Sequence, residues 1–148
     1  MLIFDLEPLS NCYAEAIPLF KKHWQEIAYL NNLKPDPEFS KYESLEKHKI
    51  LRFYTARKQG SLIGYAIFFV QPHLHFKKSI FAYCDIVFIL PKHRGFGYDF
   101  IRWCNDNLKR EGTEVILYEV NKLHDYGNLL KRQGFKHTGD MYTLEVRL

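Results

Sequence analysis

The sequence predicts an α/β fold: one domain spanning residues 1–148, with a central mixed β-sheet flanked by about four helices. Three observations lead there. The length suits a single core, which at this size buries roughly 68–70% of the unfolded surface. Apolar residues recur at three- and four-residue spacing in some stretches and form shorter continuous runs in others, so helix and strand patterns alternate along the chain. Hydrophobic residues make up 47% and aromatic residues 16%, enough for a folded core, while 26% charged residues suit a solvated surface.

An opening strand precedes Ser10, which can cap a helix whose apolar positions Tyr13, Ile17, Phe20, Trp24, Ile27 and Ala28 share one face. Pro18 should kink this helix or mark a second start. After the polar loop Asn31–Lys34, Asp36-Pro37 reads as an N-cap followed by proline at the first helical position, and Phe39, Tyr42 and Leu45 then share a face. Leu51–Ala56 is a strand, Lys58-Gln59-Gly60 a turn, and Leu62 to about Pro72 the returning arm of a hairpin. Ile80–Leu90 is apolar on both alternating faces, the pattern of a central strand covered on two sides. Pro91 ends it, and Arg94-Gly95-Phe96-Gly97 leads into a helix carrying Phe100, Ile101, Cys104 and Leu108, stopped by Gly112. A strand Glu114–Asn121, a short helix Tyr126–Gln133 closed by Gly134, and a final strand from about Phe135 complete the order β-α-α-β-β-β-α-β-α-β. No internal repeat, low-complexity tract or linker interrupts it.

Composition narrows the function classes. The longest apolar stretches, Leu62–Val70 and Ile80–Leu90, are shorter than the roughly 20 residues a membrane helix needs. MLIFDLEPL carries two acids and no basic region before its apolar residues, unlike a secretory signal, so the chain reads as cytoplasmic. Cys12, Cys84 and Cys104 form no C-x-x-C pair, which argues against a disulfide framework and a zinc knuckle. A net charge of +4, spread over pairs such as Lys21-Lys22 and Lys77-Lys78, is weak support for a nucleic-acid partner and suits a solvated surface.

The most informative stretch is Ile89-Leu90-Pro91-Lys92-His93-Arg94-Gly95-Phe96-Gly97-Tyr98. A central strand that ends in a glycine-containing turn and runs into a helix aims backbone N–H groups and the positive end of the helix dipole at one point. That point can hold a pyrophosphate, with glycine allowing close approach and Arg94 adding a charged donor. The dinucleotide fingerprint is not met, and an ordinary strand-to-helix turn is the alternative reading.

At this junction the sequence resembles the GNAT superfamily of acyl-CoA-dependent N-acetyltransferases, whose signature is Arg or Gln, two residues, Gly, one residue, then Gly or Ala. Arg94-Gly95-Phe96-Gly97-Tyr98-Asp99 matches its first five positions, Ile89-Leu90-Pro91 resembles the strand ending before it, and Leu129-Leu130-Lys131-Arg132-Gln133-Gly134-Phe135 resembles a downstream Leu-Tyr-x-x-x-Gly-Phe segment. The resemblance implies a GNAT-like fold with acetyl-CoA as co-substrate, its pantetheine and pyrophosphate held by strand amides around Val87 and Ile89 and by the turn Arg94, Gly95, Phe96, Gly97, Tyr98 and Asp99. His124 takes the position of an asparagine that in many relatives lies near CoA. Two departures stand out. Asp99 replaces a small residue and brings negative charge to the helix start, and Leu130 replaces the tyrosine that in many relatives protonates the departing thiolate. Tyr126, one turn before Leu130, and Tyr142 on the final strand are the substitutes on offer, each with a structural role as its alternative.

Asp85 is the general-base candidate. Strand alternation places it with Phe81, Tyr83, Val87 and Ile89 on a largely apolar face, where desolvation raises a carboxyl pKa; a hydrogen-bonded structural aspartate is the other reading. Glu119 on the neighbouring strand is the reserve base. His73 and His75 form a His-x-His that can point to one side of a strand; no further ligands accompany it, so no metal is expected and a substrate-pocket wall is the better role. His23 and Glu26, on the polar side of the first helix, can join that wall or remain surface residues.

Two function classes result. One is an enzyme moving an acetyl group from acetyl-CoA to a primary amine, on a small molecule or a macromolecule, by direct attack, since no cysteine sits beside a recognisable His and acid set. The other is a catalytically reduced GNAT-like module binding acyl-CoA, protein or nucleic acid. Exposed strand edges and aromatic residues are compatible with a homodimer.

Overall fold

The computed structural model describes residues 1–27 and 33–146. Among them five strands and four α-helices form: β1 Leu2–Leu6, α1 Tyr13–Ile27, α2 Phe39–Lys47, β2 Leu51–Lys58, β3 Ser61–His73, β4 Phe76–Ile89, α3 Gly97–Arg110, β5 Val115–Tyr118 and α4 Gly127–Arg132. Short 3-10 turns occupy Leu9–Asn11, Pro91–Phe96 and Lys122–His124. Ala28 and the start of the loop at Asn31 lie outside the described residues.

The strands run β1-β2-β3-β4-β5 across one mixed sheet, antiparallel as far as β4 and parallel between β4 and β5. β3 is apolar from Leu62 to Val70 because both its faces are covered there. On one side Ala66, Phe68 and Val70 meet Phe100, Cys104 and Leu108 of α3; on the other Tyr65 and Ile67 meet Ala16, Leu19 and Phe20 of α1, with Phe39, Tyr42 and Leu45 of α2 packed outside. Arg57 of β2 fastens the start of α1, donating to Glu15 at 2.8 Å and to Glu7 at 2.8 Å. That anchoring fixes where the far end of α1, carrying His23 and Glu26, arrives.

Several expectations need correction. α1 passes through Pro18 without a second start, although the missing N–H leaves the Ala14 carbonyl without its helical donor. α2 begins two residues after Asp36-Pro37: extended Glu38 takes the cap position, its carboxylate accepting from Ser40 Oγ at 3.1 Å and pairing with Lys41 at 3.4 Å. β5 ends at Tyr118, before Asn121. No strand forms between Phe135 and Val146 among the described residues.

The largest correction concerns β4. Ile67 pairs with Ile86 while Phe68 pairs with Cys84, so Asp85 is the extra residue of a β-bulge. Alternation therefore changes phase there: Ala82 and Cys84 face α3, and beyond the bulge Val87 and Ile89 do, while Ile86 and Phe88 face α1. Asp85 does not share a face with Val87 and Ile89. Sequence periodicity does not register an inserted residue in a strand that is apolar on both sides.

Candidate active site

β4 and β5 are paired only from Phe81 opposite Val115 to Cys84 opposite Tyr118. Beyond that point β4 continues to Ile89 while the partner chain leaves the sheet, and the two splay apart at the bulge. The gap is a cleft of about 250 Å³, walled by β4 from Tyr83 to Val87, by Glu119, Asn121, His124 and Tyr126 after β5, and by His23 and Ile27 of α1. A larger hollow of about 420 Å³ lies near the start of β2 and the end of β3, where Arg52 is already held by Glu111 at 3.1 Å and by the Lys49 carbonyl at 2.6 Å. Chemically diverse, unspent side chains belong to the cleft.

Asp85 sits in the cleft wall. The residue is exposed at the cleft wall, yet partial desolvation of its carboxyl, with a smaller contribution from the negative charge of Glu119, pushes its pKa up to about 6. Such a carboxylate is ionised at neutral pH and basic enough to take a proton. Tyr83, two residues earlier on the same face, donates from its hydroxyl to Glu119 Oε2 at 2.6 Å, which occupies the reserve base. Tyr126 caps the start of α4 and faces the cleft; burial, first, and the neighbouring Cys84, Glu119 and Tyr83 raise its pKa, so its hydroxyl keeps its proton as a donor. Leu130 is a core residue at 6% exposure, one turn inside, and offers nothing to the cleft. Tyr142 is 92% exposed on the C-terminal segment.

His23 is buried at 7% exposure, not on the polar side of α1 as the sequence suggested, and its ring lies 5.2 Å from that of Phe88. Desolvation pushes its pKa down to about 4, so the imidazole is neutral, and among the described residues its Nδ1 has no partner. His73 and His75 are placed elsewhere. β3 ends at His73, His75 belongs to the turn that follows, and the two rings are 5.4 Å apart beside Phe76 and Phe81, away from the cleft lining. Among the described residues no group of three or more His, Cys, Asp or Glu side chains is arranged to hold a metal ion.

The turn after β4 winds through one 3-10 segment into α3, and the Gly97 N–H that opens α3 donates to the Arg94 carbonyl. A Cβ on Gly95 would meet nothing within 4 Å, and one on Gly97 only Ile89 and Leu129 at 3.8 Å. Neither glycine has positive φ. Neither positive φ nor a clash with an added Cβ therefore accounts for glycine at these two positions. Asp99 is exposed in the first turn of α3.

Arg94 is not the free phosphate donor that the motif suggested. Its Nε donates to the Ile89 carbonyl at 3.0 Å, its Nη2 to both oxygens of Glu26 at 2.6 and 2.5 Å, and the guanidinium lies 5.7 Å from the Phe88 ring centre. Glu26 also lies 3.9 Å from His124 Nδ1. The acid thus ties α1 to both sides of the cleft. Sequence reasoning missed this role of Glu26, placed Tyr83 only as a strand neighbour of Asp85, and gave Asn121 no part in the site. Tyr83 stands two before Asp85 on a strand, a same-face signal; Asn121, whose side chain accepts from the Leu123 N–H at 2.7 Å to cap the turn bearing His124, is an Asn opening a polar stretch after a strand.

The chain matches the acetyltransferase (GNAT) family profile over residues 13–121. Comparison with curated protein sequences gives no match. Among solved structures it is similar to an aminoglycoside acetyltransferase, meta-AAC0020, from an uncultured soil metagenomic sample in complex with sisomicin, at TM-score 0.74 and 14% identity over 99% of this chain and 97% of that one. It is similar also to a ribosomal-protein-alanine N-acetyltransferase from Brucella melitensis biovar Abortus 2308, at TM-score 0.71 and 19% identity, covering 99% of each chain. A predicted acetyltransferase with acetyl-CoA from Clostridium acetobutylicum gives TM-score 0.71 and 15% identity over 98% of this chain and 96% of that one. At such identities the structural likeness speaks for the fold, while the profile spans most of the chain and takes in the bulged strand, the glycine turn and α3. The chain belongs to the GNAT acetyltransferase family.

Proposed function

We propose that the protein transfers an acetyl group from acetyl-CoA to a primary amine by direct attack in the cleft between β4 and β5. The observation that carries this reading is Asp85, raised to about 6, on a bulge that aims it into a cleft adjoining the glycine turn. Acetyl-CoA supplies the activated thioester. Backbone groups of β4 around Val87 lie beside the splay for the pantetheine arm, and the turn from Gly95 to Asp99 at the start of α3 would face the pyrophosphate, although its Gly97 N–H already donates to the Arg94 carbonyl and the Ile89 carbonyl already accepts from Arg94. Arg94 holds the turn to β4 and α1, and His124 lies on the cofactor side of the wall.

Asp85 takes the proton of the attacking amine, and Tyr126, which keeps its own proton, donates to the sulfur as it departs. Asp85 and Glu119 make this region acidic, Glu26 being neutralised by Arg94, which favours a positively charged acceptor, and neutral His23 contributes to the cleft wall. Small polyamines, amino sugars and basic protein segments are positively charged acceptors of this kind, and nucleic acid is disfavoured.

A thiol-release assay with acetyl-CoA and a panel of such amines tests the reading. At least one cationic primary amine should accelerate CoA release well above hydrolysis. Tight acetyl-CoA binding with no transfer to any amine would replace the enzyme by an acyl-CoA-binding module, the role that Leu130 at the usual tyrosine position favours.

A further inference from the structure

Three side chains and one carbonyl form a directed run of hydrogen bonds from β5 to the start of α3. The Tyr118 hydroxyl spends its single proton on Asn105 Oδ1 at 2.7 Å, Asn105 Nδ2 donates to Gln133 Oε1 at 3.1 Å, and Gln133 Nε2 donates to the Tyr98 carbonyl at 3.0 Å. Asn105 is buried at 2% exposure within α3. Each amide presents its oxygen to one neighbour and its nitrogen to the next, so the run is satisfied in one orientation and holds its members rigidly.

Both ends of the run lead to the site. Tyr98 is the second residue of α3 and belongs to the turn that would face the pyrophosphate. α4 and the residue after it reach this turn with three side chains: Leu129 stands 3.8 Å from the place of a Cβ on Gly97, the Arg132 guanidinium lies 4.8 Å from the centre of the Tyr98 ring, and Gln133 bonds the Tyr98 carbonyl. The first is an apolar contact and the second an exposed stacking pair; Gln133 is the one of the three that grips the backbone of the turn. At the other end the Tyr118 ring meets that of Tyr126 edge-on at 6.4 Å, which carries the run to the cleft wall.

We propose that Gln133 is a positioning residue for acetyl-CoA, which acts through the Tyr98 carbonyl to hold the first turn of α3 in its binding arrangement before the pyrophosphate arrives. The role rests on the acetyl-CoA site proposed above. A turn already held has little freedom left to lose on binding, whereas a released turn must be ordered by the ligand, which weakens affinity. The pantetheine arm would lie along β4 around Val87, away from this run. An acetyl donor without the pyrophosphate should therefore not sense Gln133.

Calorimetry on the full chain with acetyl-CoA and with S-acetylpantetheine, comparing wild type with Gln133→Met, tests the role. Gln133 is half-buried at the end of α4, so methionine keeps the length, removes both polar ends and leaves the core intact. Leu108→Val, in the core at the far end of α3, controls for lost stability. Gln133→Met should bind acetyl-CoA about tenfold more weakly and S-acetylpantetheine within about twofold of wild type, while Leu108→Val melts lower and keeps wild-type affinity for both. Equal acetyl-CoA affinity in wild type and Gln133→Met, an equal loss on both ligands, or a similar acetyl-CoA loss in Leu108→Val would each overturn the positioning role and leave the acetyl-CoA site standing. A wild type that does not bind acetyl-CoA would overturn the site and the role together.

Discussion

Replacing Asp85 with asparagine removes a charge and almost no volume, and its consequences can be worked from where the carboxyl sits. With a pKa of about 6, roughly a tenth of the carboxyl is ionised at pH 5 and roughly nine-tenths at pH 7, so wild-type turnover at saturating acetyl-CoA should climb about tenfold over that interval and then level off. Asp85→Asn should lose that climb and run about 10²–10⁴-fold slower on the plateau, the range for a positioned base. Stability should move the other way. A carboxyl whose folded pKa lies above its ordinary value of 3.8 costs the native state stability as pH rises from about 4 through about 6. A shift of about two units would be worth about 3 kcal/mol at most; because Asp85 keeps contact with water, about 1 kcal/mol is the reasonable expectation. The variant should therefore melt higher than wild type above pH 7 and alike below pH 4. Turnover against pH and thermal melts on the same two proteins give both readings. A folded Asp85→Asn enzyme with wild-type turnover and pH profile would refute the assignment and pass the proton to Glu119 or a water chain.

Tyr126→Phe should slow turnover by about tenfold or less, since thiolate is a tolerable leaving group, with the acidic limb set by Asp85 unmoved; pre-steady-state thiol release measures it. Glu26→Gln should tighten acetyl-CoA several-fold in calorimetry, because it releases Arg94 and removes an anion beside the pyrophosphate turn; weakened binding would mean that the ion pair is needed to shape the turn. Asp99→Gly should leave acetyl-CoA affinity unchanged or improve it, with any gain shrinking at high salt, and a large loss would show a positive role for that carboxylate.

What could be read from sequence was local. The apolar run of β3, the helical spacing in α1 and α3, and the glycine turn between β4 and α3 each announce themselves over a few neighbouring residues, and together they fix most of the architecture. What escaped was set by distance or by geometry without a pattern. The Glu26–Arg94 pair joins positions 68 apart, and nothing near either residue indicates the other. The bulge at Asp85 inserts one residue into a strand apolar on both faces, so the side-chain pattern looks the same on either side of it. His73 and His75 fit a strand face on paper, but the chain turns between them. The final strand failed differently: its alternation is present, and no strand forms there among the described residues.

Acetyl-CoA binding at the glycine turn is the claim on which the rest depends, and Gly95 tests it most directly. Gly97 is buried against Ile89 and Leu129, so a bulky residue there would disturb the fold, whereas a side chain at Gly95 meets no protein atom within 4 Å. Calorimetry on wild type and Gly95→Val, with melting temperatures measured alongside, isolates the ligand's need for the bare backbone. Wild type should bind acetyl-CoA, and the variant should bind at least tenfold more weakly at an unchanged melting temperature. Equal affinity in the two proteins would place acetyl-CoA away from this turn and contradict the proposed site.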